Sequence, residues 1–82
     1  MIALILYSRP GCHLCEELAE ELAPLLAGRA TLTHVDVSRD PELERRYGLR
    51  IPVLAAGATE LSSYPLDRER VRGFLESGRP AD

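Results

Sequence analysis

The chain has 82 residues, 45% hydrophobic and 28% charged, which is the composition of one small soluble globular domain. Its formal net charge of −3 argues against a general surface for nucleic acids or anionic membranes. No apolar run approaches the roughly 18 residues of a membrane-spanning helix. The apolar start also lacks the basic segment of a secretory signal, so we expect a cytoplasmic protein.

The first part of the chain predicts a strand followed by a helix. Ile2 to Tyr7 is a near-continuous apolar run, typical of a central strand covered on both faces. Leucines then recur at helical spacing and predict a first helix that ends at Gly28. These leucines are Leu14, Leu18, Leu22, Leu25 and Leu26. Pro24 removes one hydrogen bond of this helix, and it should kink the helix or confine its regular part to Glu21 or earlier.

The middle of the chain predicts an edge strand and a short helix. Thr31 to Val37 is rich in β-branched residues but has polar residues on both faces, which favours an edge position. Residues 38–40 form a turn. Asp40 then caps a helix that runs to Tyr47 and ends at Gly48.

The last part predicts a hairpin and a final helix. Ile51 to Ala56 is the third strand, Gly57-Ala58 the turn, and Thr59 to Ser62 the fourth strand. Asp67 caps the last helix, whose buried stripe is Val71, Phe74 and Leu75 and whose end is Gly78. The order β-α-β-α-β-β-α places two crossovers before one hairpin, which predicts an α/β domain with a mixed four-stranded sheet. This domain should cover residues 1–78, with 79–82 as a flexible tail.

Both cysteines lie between the first strand and the first helix, as Cys12-His-Leu-Cys15. A C-x-x-C at such a turn in an intracellular protein is typical of a redox dithiol. At a helix start, the Cys12 sulfur meets unpaired N–H groups and the positive end of the helix dipole, which favour the thiolate. Cys15 follows one turn later and can attack a mixed disulfide on Cys12. Cys12 is therefore the predicted nucleophile and Cys15 the predicted resolving cysteine.

Two segments carry a resemblance to a known family. The segment from Tyr7 to Cys15, Tyr-Ser-Arg-Pro-Gly-Cys-His-Leu-Cys, resembles the glutaredoxin active site, where an aromatic–Ser–basic–Pro run precedes Cys-Pro-Tyr-Cys. The segment from Gly48 to Leu54 resembles the part of thioredoxin-fold proteins that carries a cis-proline beside the dithiol. Across almost the whole chain, the element order is similar to the thioredoxin fold in its minimal glutaredoxin form. That fold implies a spatial strand order of second, first, third, fourth.

The resemblance implies a glutaredoxin-like thiol–disulfide oxidoreductase that acts on disulfide-containing protein substrates in electron transport. Glutathione or a flavin-dependent disulfide reductase would restore the dithiol, with no tightly bound cofactor and no metal. Arg9 would stabilise the Cys12 thiolate or hold a glutathione carboxylate, unless it is a solvated loop residue. His13 would tune the thiolate or shuttle a proton, unless it is an exposed residue without a role. The backbone of Ile51 before a cis Pro52 would bind an extended peptide or glutathione as a short added strand; a trans proline opening a strand is the alternative.

The sequence departs from the family at two points. His13-Leu14 replaces Pro-Tyr, and residues 61–67 lack the Gly-Gly that usually holds the far end of glutathione, with Asp67 as a helix cap instead. Three alternatives therefore stay open: a thioredoxin-like reductase independent of glutathione, a metal or iron–sulfur module with Cys12 as a ligand, and a redox-inert binding domain. One C-x-x-C supplies only two of the four ligands that a metal or cluster site needs. We expect a monomer, with Tyr7 packed beneath the site and Arg50 and His34 on the surface.

Overall fold

The computed structural model describes residues 2–77, and within them the elements follow the predicted order β-α-β-α-β-β-α. The strands are β1 (Ile2–Ser8), β2 (Ala30–Asp36), β3 (Val53–Ala56) and β4 (Thr59–Ser62). The helices are α1 (His13–Leu26), α2 (Pro41–Tyr47) and α3 (Arg68–Ser77), and a 3-10 turn covers Val37–Arg39. Several predicted strand bounds shift slightly: β1 ends one residue later, β2 begins and ends one residue earlier, and β3 begins two residues later than expected. The predicted end of α3 at Gly78 and the tail at 79–82 lie outside the described residues.

The four strands form one mixed sheet in the order β2-β1-β3-β4, which confirms the expected strand order and the edge position of β2. β1 pairs with β2 in parallel and with β3 antiparallel, and β3 pairs antiparallel with β4. The register sets Ser8 beside Asp36 on one side of β1, and Tyr7 beside Val53 on the other. The carboxyl end of β1, from which the cysteine loop leaves, is therefore flanked by other strands on both sides.

The sheet separates two hydrophobic clusters. The larger one packs α1 and α3 against one face, and its fully buried members include Leu6, Leu18 and Val71. The smaller one packs α2 against the other face through Val37, Tyr47 and Val53. The result is a three-layer α/β domain, in agreement with a minimal thioredoxin-like fold. Among the described residues, no helix has the length and apolar character that crossing a membrane would require.

The prediction that β1 is covered on both faces holds for only part of its length. Leu4 and Leu6 are buried under the larger cluster, but Ala3 on the opposite face is exposed and Ile5 is half-buried. The reason is the size of α2, which has only 7 residues and covers only one end of its face of the sheet.

α1 departs from expectation at both ends. Its regular part is not confined to Glu21 or earlier but continues past Pro24 to Leu26, because the carbonyl freed by the proline belongs to Glu20, an exposed residue, while Leu22 and Leu26 hold the last turns on the core. The buried stripe also begins at Cys15 and not at Leu14, whose side chain is 42% exposed. The predicted end at Gly28 agrees with its φ of 74°, which favours glycine.

We predict that Leu22→Ala lowers the free energy of unfolding by about 2–5 kcal/mol, because Leu22 is fully buried in the larger cluster and the truncation leaves a cavity. Leu49→Ala is the matched control, since the Leu49 side chain is fully exposed and its loss should change stability by less than about 0.5 kcal/mol. Urea unfolding of both oxidised proteins measures the difference. Equal effects of the two substitutions would contradict the assigned core.

Candidate redox site

The two cysteines form a disulfide at the start of α1. Their Cα atoms are 5.2 Å apart, and Cys12 is the N-cap residue of the helix. The backbone N–H of Cys15 donates a hydrogen bond to the Cys12 Sγ at 3.1 Å. Cys12 is half-exposed, whereas Cys15 is 5% exposed and belongs to the buried stripe of the helix. Cys12 is therefore the more exposed of the two bonded cysteines.

The loop between β1 and α1 presents Cys12 at the sheet edge. The N–H of Cys12 donates to the Arg9 carbonyl at 3.2 Å, which closes a turn over Pro10 and Gly11. Gly11 has a φ of 80°, a conformation that other residues rarely adopt. This turn directs the chain from the end of β1 into the first turn of α1.

A cleft of about 520 Å³ opens beside the disulfide. It is lined by the end of β1, the loop at 9–11, the first two turns of α1 with both cysteines, and His34 and Asp36 of β2. We expected His34 on the surface, and the position of His34 and Asp36 beside the cysteines was not predicted. A signal was available, because the carboxyl ends of two paired parallel strands meet at the same edge of a sheet.

Carboxylates dominate the charge of this cleft. Glu16 and Glu20 line it from α1, and Asp36 lines it from β2. The Ser38 hydroxyl donates to Asp36 Oδ1 at 2.6 Å and is the main cause that lowers the pKa of Asp36 below its usual value; the Ser38 backbone N–H, Arg39 and Arg9 lower it further. Asp36 is therefore ionised at neutral pH.

Arg9 lines the same cleft but directs its guanidinium to α2. Its Nη2 donates to Glu44 Oε2 and, at 3.3 Å, to the Gly48 carbonyl. The side chain is 37% exposed, and its buried Nε has no hydrogen-bond partner among the described residues. Arg9 is thus an anchor between the cysteine loop and α2, so the interpretation as a solvated loop residue was wrong.

The other predicted substrate-binding residues do not line the cleft. The His13 side chain is 84% exposed and lies 3.6 Å from Glu17, a pair that is ionic only when the histidine is protonated. Pro52 is buried, the Ile51–Pro52 peptide bond is cis, and Ile51 packs against the smaller cluster. Extending the β1–β3 register by one residue sets Pro52 opposite Ser8, so Pro52 lies on the other flank of β1 from His34 and Asp36.

An aromatic pair supports the flank opposite the cleft. The rings of Tyr7 and Tyr47 stack with centroids 4.1 Å apart. The pKa of Tyr7 is raised, mainly by burial and secondly by its interaction with Tyr47. Tyr7 therefore packs beneath the site, as expected. Arg50 lies over Tyr47 at 5.4 Å and donates to both carboxylate oxygens of Glu60 at 2.9 and 3.0 Å, so its charge is engaged at the surface.

In the segment 61–67, which lacks the Gly-Gly pair, Asp67 makes hydrogen bonds through its side chain and its N–H group. Asp67 Oδ1 accepts from the Arg70 N–H at 3.1 Å, which confirms Asp67 as the cap of α3. Its own N–H donates to the Ser62 hydroxyl at 2.9 Å. Between residues 2 and 77, no group of three or more His, Cys, Asp and Glu side chains is arranged to hold a metal ion.

Comparisons with known proteins extend over nearly the whole chain. A family model described as Glutaredoxin-like domain (DUF836) matches residues 3–76. The Uncharacterized protein Rv0508 of Mycobacterium tuberculosis is 34% identical over an alignment 86 positions long. The alignment covers 94% of this chain and 89% of that protein. The X-ray structure of XcR50 from X. campestris has a TM-score of 0.72 at 39% identity and covers 90% of this chain and 96% of its own. The NMR structure of Ne2328 from Nitrosomonas europaea has a TM-score of 0.79 at 34% identity and covers 89% of both chains. With the cysteine pair at disulfide distance, these similarities support a thiol redox role.

We predict that Gly48→Ala destabilises the anchor between Arg9 and α2. An added Cβ would clash with Glu44 Oε2 and with the Glu44 carbonyl oxygen, so the carboxylate that binds Arg9 must move. We expect a loss of about 1–3 kcal/mol of unfolding free energy. Gly73→Ala in α3 is the matched control, because nothing lies within 4 Å of its Cβ, and it should stabilise the protein by about 0.4–1 kcal/mol. Chemical denaturation measures both, and a stabilising Gly48→Ala would refute the close approach.

Proposed function

Because the chain belongs to the glutaredoxin-like domain family (DUF836), we propose that it is a thiol–disulfide oxidoreductase with Cys12 as nucleophile and Cys15 as resolving cysteine. The observation that carries this proposal is the unequal exposure of the two bonded sulfurs. The half-exposed Cys12 caps α1, while Cys15 is 5% exposed directly behind it. Only Cys12 offers an incoming partner a sulfur to bond, and only Cys15 is held where it can displace that partner.

In the forward reaction the reduced protein gives two electrons to a substrate disulfide. The Cys12 thiolate attacks one substrate sulfur, so a Cys12–substrate bond forms, the substrate S–S bond breaks, and the other substrate sulfur leaves as a thiolate that takes up a proton. The Cys15 thiol loses its proton to solvent, and its thiolate then attacks the Cys12 sulfur. The second substrate thiol leaves, and the protein reaches the disulfide state described above.

The backbone of α1 favours both steps. The Cys15 N–H donates to the Cys12 sulfur, and a negative charge on that sulfur strengthens such a bond. The N-terminal position adds the positive end of the helix dipole. Both effects favour Cys12 as an attacking thiolate, and both also make it a good leaving group when the disulfide is reduced again.

We propose glutathione as the reductant that returns the dithiol. One glutathione thiolate attacks Cys12 and releases Cys15 as a thiolate; a second attacks the glutathione sulfur of the mixed disulfide, so that oxidised glutathione forms and Cys12 leaves as a thiolate. The Ile51 backbone beside Pro52 is the proposed binding edge for the tripeptide, and Arg9 and His13 are the proposed contacts for its charged groups. The proposed setting is a cytoplasmic monomer that acts on disulfides of other proteins, with a flavin-dependent disulfide reductase as the alternative source of electrons.

We predict that Cys12 reacts with iodoacetamide at lower pH than an ordinary thiol. In the Cys15→Ser variant, the alkylation rate should reach half its maximum well below roughly pH 8.5, because the helix start stabilises the thiolate. In the Cys12→Ser variant, Cys15 should react much more slowly because it is buried. Rates measured against pH in both variants decide the assignment, and a Cys12 inflection at or above the free-thiol value would refute the mechanism.

We predict that glutathione with its reductase and NADPH reduces the Cys12–Cys15 disulfide, with weaker binding than a full glutaredoxin because residues 61–67 lack the Gly-Gly pair. One NADPH is consumed for each protein disulfide reduced, and this consumption is the measurement; thioredoxin reductase is offered in parallel. If only thioredoxin reductase reduces the protein, glutathione is not the electron donor, and the dithiol mechanism still holds. No turnover with either donor would favour the metal-binding or inert alternatives, which metal analysis of freshly purified protein separates.

A further inference from the structure

The two flanks of the disulfide differ in chemistry. β1 lies between β2 and β3, so the carboxyl end of β1 has the Asp36 side of β2 on one flank and the Pro52 side of β3 on the other. The open volume of about 520 Å³ lies on the β2 flank and includes both cysteines. A substrate that enters this volume meets the half-exposed Cys12 together with side chains of α1 and β2.

The charge of that volume is net negative, because its lining holds three carboxylates and one arginine, Arg9. Glu16 and Glu20 form no ion pair with any residue between 2 and 77. Asp36 accepts hydrogen bonds from Ser38 but pairs with no cation at salt-bridge distance in the same part of the chain. Arg9 lines the cleft as well, but Glu44 engages its guanidinium from outside the lining. Three carboxylate residues therefore line the cleft beside the disulfide, with one engaged cation.

We propose that this cleft is the substrate subsite of the enzyme and selects cationic disulfides, meaning polypeptides with a lysine or arginine side chain close to the disulfide that is reduced. The inference rests on the proposed function, since it names the substrate class for the same Cys12. A cleft lined by one sign of charge raises the local concentration of the opposite sign and speeds encounter. The same carboxylates disfavour anionic disulfides in this cleft.

Small disulfides of different charge test this inference without any added reductant. The protein is first reduced, and the reductant is then removed. It is mixed with one of three probes: cystamine, which carries two positive charges, bis(2-hydroxyethyl) disulfide, which is neutral, or dithiodiglycolate, which carries two negative charges. In each case two electrons pass from Cys12 and Cys15 to the probe, which gives one protein disulfide and two small thiols. The rate of loss of protein thiols is measured at pH 8 and low salt.

The decisive quantity is the cystamine rate divided by the dithiodiglycolate rate, compared between the wild type and the triple variant Glu16→Gln, Glu20→Gln, Asp36→Asn. The intrinsic reactivities of the probes and of Cys12 cancel in this comparison. We expect the ratio to fall at least tenfold in the triple variant, and to fall in the wild type when salt shortens the Debye length to about 3 Å at 1 M. The single variant Glu20→Gln keeps the test valid if the triple variant folds poorly, and should lower the ratio by about twofold to fivefold.

Glu69→Gln is the matched control for Glu20→Gln, because each removes one negative charge and Glu69 is exposed in α3 outside the cleft. Its ratio should stay within about twofold of the wild type. A ratio that is unchanged in the triple variant, or that Glu69→Gln lowers as much as Glu20→Gln does, overturns the inference while reduction of the neutral probe still supports the proposed function. Failure to reduce any of the three probes overturns the proposed function and this inference together.

Discussion

Parallel pairing between β1 and β2 forces the chain to cross the sheet through a helix, and the position of that helix determines the site. A parallel partner cannot be reached by a tight turn, so α1 must begin at the carboxyl end of β1 and return the chain to the start of β2. The start of α1 therefore coincides with the carboxyl ends of two strands. Cys12 caps the helix at this point, and Asp36 arrives there from β2.

The different exposure of the two cysteines follows from the helical repeat. Cys15 lies one turn after Cys12 and in line with Leu18 and Leu22, so the contacts that hold α1 on the sheet also bury Cys15. Cys12 precedes this stripe and keeps contact with solvent. Unequal access of the two sulfurs is thus a consequence of core packing, and it needs no separate structural device.

The sequence was sufficient for features that depend on local patterns. Strand character, helix caps at Asp40 and Asp67, and the cysteine spacing predicted the element order, and the family resemblance supplied the strand order. Features that depend on distant pairs of side chains were out of reach: nothing in the local pattern links Arg9 to Glu44, 35 residues away. The same holds for His34, whose polar character on an edge strand indicates a surface residue equally well with or without a neighbouring cleft. The position of Leu14 was missed because leucine and cysteine both suit a buried stripe, and only packing decides which of them begins it.

The Tyr7–Tyr47 stack determines what optical spectroscopy sees of this molecule. The chain has three tyrosines and no tryptophan, and the stacked pair joins β1 to α2 in the smaller cluster, whereas Tyr64 is 39% exposed. Near-ultraviolet circular dichroism and tyrosine emission therefore report chiefly on the attachment of α2. Far-ultraviolet circular dichroism is dominated by α1 and α3 on the other face, so the two signals follow different layers of the same domain.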